Sequence, residues 1–151
     1  MKFLYYYGII FFLLLLFFGR YDPRSEESKL VDAIERRVAK RLRKEYGLYL
    51  AVTGAKMMFD IELLRLYFDC YHSADLPTSR KLVVKAADIF LEEINKTEAI
   101  RTYLADDPFT TENIELMIFF TQNSQSKEKR DSICVATVNK GGVAYGITTP
   151  D

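Results

Sequence analysis

A charge-free apolar run occupies residues 3–19, between Lys2 and Arg20. Seventeen residues at ~1.5 Å each make a helix of about 25 Å. The hydrocarbon core of a bilayer is ~30 Å thick and tolerates spans of roughly 17–25 residues. Lys2 can extend its amine outward, and Tyr5, Tyr6 and Tyr7 suit the headgroup layer, which recovers several ångströms. A cleavable signal peptide needs small residues at its cut site. Here Phe17 and Phe18 precede Gly19, and no small pair occurs before Ser25. An uncleaved single-pass anchor is therefore the expectation for residues 1–20. Basic residues beside the run (Lys2 against Arg20, Arg24 and Lys29) lean towards a cytoplasmic body, whereas the signal-like position of the run leans towards export. We take the exported, periplasmic side as the expectation.

About 130 residues remain after the anchor, enough for one domain with its own core. The chain has 21 basic and 21 acidic residues and is formally neutral. Electrostatic nucleic-acid binders carry a basic surplus, so that class is excluded. Residues 21–46 read as a hinge at Pro23 followed by a stem helix. Ser25 is the expected N-cap, and Leu30, Val31, Ile34, Val38 and Leu42 form a narrow stripe at helical spacing. Glu26 and Glu27 begin the helix, basic residues end it, and Gly47 stops it, as the helix dipole and C-terminal glycine preference require.

Residues 47–151 read as one α+β domain. Residues 48–53 form a first strand that stops at Gly54. Residues 60–71 form a second, with Leu64, Leu66, Phe68 and Cys70 on one face. A turn through Pro77 leads to a helix over 78–95, whose broad face carries Leu82, Val83, Ala86, Ile89, Phe90 and Ile94. Thr97 caps a short helix ending near Leu104, and residues 106–113 form a loop. A strand at 114–121 precedes a polar stretch at 122–131. A hairpin follows, with arms 133–138 and 143–147. The expected order is strand, strand, helix, strand, strand, strand. Short links imply a mostly antiparallel sheet with helices on one face.

Few residue patterns carry chemistry. Cys70 and His72 lie two apart, the spacing of a thiol with an imidazole partner, but they share the apolar face of a strand. A buried structural cysteine beside a chance histidine is the simpler reading. This is the only histidine, which excludes most zinc arrangements, and no cofactor loop or metal set is expected. Cys70 and Cys134 are candidates for a disulfide if the domain is exported. Arg36, Arg37, Lys40, Arg41, Arg43 and Lys44 crowd one segment of the stem. They could contact anionic lipid, or could be a solvated face that complements the dipole. Asn95-Lys96-Thr97 matches a glycosylation sequon, although both Asn95 and Thr97 have structural reasons to stand at a helix end.

The stretches Phe90–Asn95, Ile100–Leu104, Pro108–Thr110 and Asn113–Glu115 form a pattern together with the strand beginning at Asp60. It is similar to a group of short, uncharacterised proteins of chlamydia-like bacteria that also begin with a hydrophobic segment. The resemblance implies a Gram-negative envelope and an intracellular lifestyle; the group has no known activity, so it carries over no functional residues. Within it, Arg101 and Tyr103 are expected to hydrogen-bond the 106–113 loop. With Phe109 and Asn113 they are the candidate binding rim. The reading favoured by these observations is a membrane-tethered, non-catalytic binding or assembly module with an unknown protein partner or self-association. The alternatives are a thiol-dependent enzyme built on Cys70 and His72, or an anionic-lipid binder acting through the stem.

Overall fold

The computed structural model describes residues 24–121 and 133–147. The expected anchor, most of the hinge and the polar stretch at 122–131 lie outside them. Helix α1, Glu26–Tyr46, starts after Ser25 and ends at Gly47. Gly47 takes the left-handed conformation (φ 67°) and donates its N–H to the Arg43 carbonyl. A residue with a Cβ would be strained there, so the glycine permits an immediate reversal into strand β1, Leu48–Met57. Ser25 occupies the N-cap position without a side-chain capping bond; its hydroxyl meets that of Ser28 at 2.9 Å instead.

Strand β2, Ile61–Cys70, returns antiparallel to β1. Helix α2, Leu76–Asn95, then crosses to β3, Ile114–Phe120, which lies parallel to β2. Strands β4, Ile133–Asn139, and β5, Gly142–Ile147, complete an antiparallel meander. The sheet order follows the chain, β1-β2-β3-β4-β5. The fold class is α+β and the element order is the expected one. The sheet is mixed, because a helix long enough to span the sheet brings β3 back in the direction of β2.

Three element boundaries differ from the sequence expectation, each for a local reason. β1 runs through Gly54 because the glycine faces Arg65, whose side chain packs over the place a Cβ would take. Helix α2 starts at Leu76, capped by the Asp75 carboxylate accepting from Thr78 N–H at 2.9 Å. Pro77 belongs to the first turn, where its missing N–H has no partner to lose, and not to the preceding turn. The 106–113 loop closes with a 3₁₀ turn at Thr111–Asn113, held by a reciprocal capping box between Thr110 and Asn113. The β4–β5 turn places Lys140 and Gly141 at φ 48° and 71°, the left-handed pair of a two-residue hairpin.

The core lies between the helices and one face of the sheet. Leu64, Leu66, Phe68, Leu116, Ile118 and Ala136 point into it from the strands. Val83, Ala86, Phe90 and Ile94 of α2 meet them. Val31, Ile34, Val38 and Leu42 of α1 are buried in the same cluster, so the stem stripe is part of the domain core. Arg37 and Arg41 bind α1 to α2, Arg37 through Glu93 at 3.1 Å and Thr97 at 2.9 Å, Arg41 through Glu92 at 2.9 Å. Burial opposes ionisation of Glu93, but Lys96 and Arg37 outweigh it and hold the carboxyl below its ordinary pKa.

Candidate functional site

The helices cover one face of the sheet and leave the other open. Register places Val52, Tyr67, Met117, Thr137 and Ala144 in one row across all five strands of that face. The next row contains Tyr49, Asp69, Phe119, Val135 and Gly146. These rows point away from the core because period-two alternation sends their neighbours Leu66, Phe68, Leu116 and Ile118 inward. Val52 is 51 % exposed and Phe119 41 %, high values for apolar side chains within strands. Tyr67 meets Phe119 edge to face with ring centroids 6.4 Å apart, and Tyr49 meets Tyr71 at 5.1 Å. The Arg43 guanidinium lies 4.9 Å over the Tyr49 ring.

One polar cluster interrupts this surface. Glu115 accepts from Arg65 Nε at 3.0 Å and from the Tyr67 hydroxyl. The bond to Glu115, partial burial and the charge of Glu115 together raise the Tyr67 pKa, so its phenol stays protonated and donating. The β5 side of the face is low, with Ala144 and Gly146 opposite Thr137 and Val135. A Cβ at Gly146 would come 2.6 Å from Val135 Cγ1, so the glycine lets the Val135 side chain lie against the strand. The whole is an aromatic and aliphatic surface with a fixed hydrogen-bonding centre, in composition like the core of a protein interface.

No protein-family model, curated protein or solved structure matches this chain. What it can do rests on its own geometry.

The sequence-derived sites distribute unevenly over that geometry. Cys70 and His72 do line one cavity of about 320 Å³, with Tyr46, Lys81, Leu82 and Phe120 among its walls. Cys70 is buried at the end of β2, His72 is exposed beyond it, and no hydrogen bond joins them among the described residues. Cys70 and Cys134 are both free thiols. β3 lies between their strands, which separates them by two strand spacings, about 10 Å, beyond the ~7 Å Cα limit for a bridge. Cys134 is half-buried, so it is expected to alkylate in the native protein while Cys70 reacts only as fast as the domain opens. Mass-resolved labelling checks this, and a Cys70 that outpaces Cys134 would revive thiol chemistry.

The candidate rim is mostly structural. Phe109 is 2 % exposed and Asn113 6 %. Asn113 bonds the Thr110 N–H, the Glu62 carbonyl and Asp106. Arg101 donates to the Asn95 carbonyl at 3.1 Å and faces Asp107 at 3.8 Å, while Tyr103 packs on the core. The residue that orders this loop is Asn95, which donates to the Phe109 carbonyl and accepts from the Phe109 N–H, both at 2.9 Å. Its amide nitrogen is therefore committed, and the sequon is explained by packing. A polar residue at the end of an apolar helix face was the available signal for that role.

Five of the six basic stem residues divide into two groups, with Arg36 in neither. Arg37 and Arg41 turn towards α2. Lys40, Arg43 and Lys44 line a groove with Ala39, Tyr49 and Leu50, between α1 and the start of β1. Among the described residues no carboxylate ion-pairs with Arg36, Lys40 or Lys44. There is no group of three or more metal-ligating side chains, and no helix long and apolar enough to cross a membrane, again among the described residues.

Proposed function

We propose that this protein is a membrane-tethered binding or assembly module without catalytic activity, and that it engages a protein partner through the open sheet face. The apolar run at residues 3–19 supplies the tether, and the envelope with the body on its exported side is the setting. The observation that carries the reading is the exposed strip of Tyr49, Val52, Phe119 and Tyr71 around the fixed Tyr67–Glu115–Arg65 centre. Soluble monomers seldom leave a contiguous apolar patch on the face of a sheet unless something covers it. Tyr and Arg are the side chains that most often dominate interface energies, because they combine a large contact area with a polar end.

The substitutions Val52→Lys and Phe119→Lys test the reading, since both side chains are exposed and their replacement leaves the core intact. Mild crosslinking of the full chain in its membrane is expected to give a defined partner or self-oligomer, and the double variant is expected to lose it while staying membrane-bound. A crosslinked species that survives the double substitution would remove the sheet face from the proposal. A monomeric wild-type chain that captures nothing would remove the binding-module reading itself.

The anionic-lipid alternative is narrower than the basic count suggests. Arg37 and Arg41 are held in the α1–α2 contact, so only Arg36, Lys40, Arg43 and Lys44 remain to face a membrane. Vesicle binding that changes with salt and with anionic-lipid content is what this alternative requires.

A further inference from the structure

The β1–β2 hairpin ends in three apolar side chains held in solvent. Met57 is 39 % exposed, Met58 81 % and Phe59 94 %. β3 begins opposite Leu64, so the outer end of the hairpin extends beyond the sheet. The Leu104 bridge to Ile61 and the Ala105 bond to the Ile61 carbonyl brace its base. Neither reaches Met58 or Phe59. A phenylalanine in this position stabilises nothing in the fold.

Its position relative to the chain's entry point is informative. Helix α1 and β1 run back to back from the single turn residue Gly47. Both elements start from that turn and share one core cluster, so lengths along them can be compared from Gly47. From Gly47 back to Ser25 is about 33 Å of helix, and from Gly47 forward to Met57 is about 33 Å of strand. Met57 is thus level with the start of α1, and Met58 and Phe59 extend past it. Residues 20–23 alone separate the apolar run from Arg24, a reach of at most about 14 Å. A bilayer holding that run lies on the side of the domain to which the hairpin points.

We infer that the Met57-Met58-Phe59 tip is a second membrane contact, which enters the outer layer of the same bilayer that holds the amino-terminal run and sets the orientation of the domain on it. The inference rests on the tethered reading above. Lys56 is ion-paired with Glu62, and Asp60 adds a further carboxylate, so the tip has no cationic surplus. The attraction is apolar and does not depend on anionic lipid. With the run as one anchor and the tip as another, the second contact forms at high effective concentration, so a shallow contact is sufficient. It would hold the sheet edge-on to the membrane and leave the open face free for a partner.

The chain contains no tryptophan, so Phe59→Trp is a single fluorescent reporter at an exposed site that leaves the core untouched. His72→Trp reports from the exposed loop at the opposite end of β2. The full chain with either substitution is floated on phosphatidylcholine vesicles, with and without brominated phosphatidylcholine. The Phe59→Trp reporter is expected to shift to the blue on floating and to lose most of its emission to the bromines, equally in neutral vesicles and in vesicles with added phosphatidylglycerol. The His72→Trp reporter should do neither. A chain that floats while its Phe59→Trp reporter stays unquenched overturns the hairpin contact and leaves the tether standing. A chain that does not float overturns the tether, and the inference with it. A blue shift that grows with protein concentration, without quenching by the bromines, assigns the tip to a second copy and overturns the lipid contact.

Discussion

Replacing Ile34 with alanine is expected to destabilise the whole domain by about 2–5 kcal/mol, although the residue lies on the stem helix. Ile34 is fully buried in the cluster that joins α1 to β1 and α2. The substitution removes three carbons from a close-packed site, and the cost contains both the lost transfer energy and the cavity left behind. Native stabilities of about 5–15 kcal/mol make this a large fraction of the total. Because the α1–α2 contact is also pinned by Arg37–Glu93 and Arg41–Glu92, α1 cannot relax independently to fill the space. Urea unfolding, followed by far-ultraviolet circular dichroism and by tyrosine fluorescence, should show one transition moved to lower denaturant with an unchanged slope. Two separated transitions, or a body whose midpoint does not move, would mean that α1 is an independent stem.

The second large effect concerns Glu35, one position further along the same helix. Its side chain is 6 % exposed, and its pKa is raised from the ordinary 4.5 to about 7. Burial is the main cause and the charge of Asp32 adds to it, while the Thr53 hydrogen bond and Arg36 act in opposition. Between those two pKa values the native state binds a proton that the unfolded state has released. Stability therefore falls as pH rises through this window and is fully retained below it. At ~1.4 kcal/mol per pH unit the difference amounts to about 3 kcal/mol. Glu35→Gln keeps the shape and a hydrogen-bonding end for Thr53 without the ionisation. The variant is expected to be more stable than the native protein at pH 8, by up to about 3 kcal/mol, and to lose that advantage near pH 5. Glu93 has the opposite sign, since its lowered pKa contributes stability that is lost in acid, so the two groups act in different ranges. Denaturant midpoints measured from pH 5 to pH 8 decide the matter, and parallel curves for native and variant chains would refute it.

Glu35 also marks the boundary of what periodicity can reveal. The apolar stripe Val31, Ile34, Val38 and Leu42 was legible because it repeats at helical spacing, and all four residues are buried. A carboxylate on the same face does not register in an apolar pattern, yet it is buried beside them. The same limit applies to Asn95. Its helix was clear from Val83, Ala86, Ile89, Phe90 and Ile94, but its grip on the Phe109 backbone joins residues fourteen apart and has no local periodicity. In sequence, Asn113 and Phe109 read as part of a binding rim. Their burial shows that the pattern describes how the loop is built.

The open face was half legible. Alternation along β2 separated Leu64, Leu66 and Phe68 from Arg65, Tyr67 and Asp69, and so gave the two sides of one strand. Which side chains of other strands lie beside Tyr67 depends on strand order and register, which involve pairings between residues about fifty apart, such as Tyr67 with Met117. A slip of one residue in that parallel pairing would send Met117 and Phe119 inward and dissolve the strip.

Local chemistry alone therefore determined the elements: the stem helix and its Gly47 stop, the amphipathic α2, the alternating strands and the hairpin turn at Gly141. It also determined that an uncharged apolar run ends five positions before Arg24. Tertiary structure alone decided that β2 and β3 run parallel, that Cys70 and Cys134 stand apart, that α1 belongs to the core, and that the hairpin carrying Met58 and Phe59 extends beyond the rest of the sheet. Propensity, capping and periodicity act over a few residues and can be read from neighbours in sequence. Register, burial of single polar groups and the relative position of distant turns arise from packing of the whole domain, where the entropy of closing long loops is recovered only by contacts that no short segment contains.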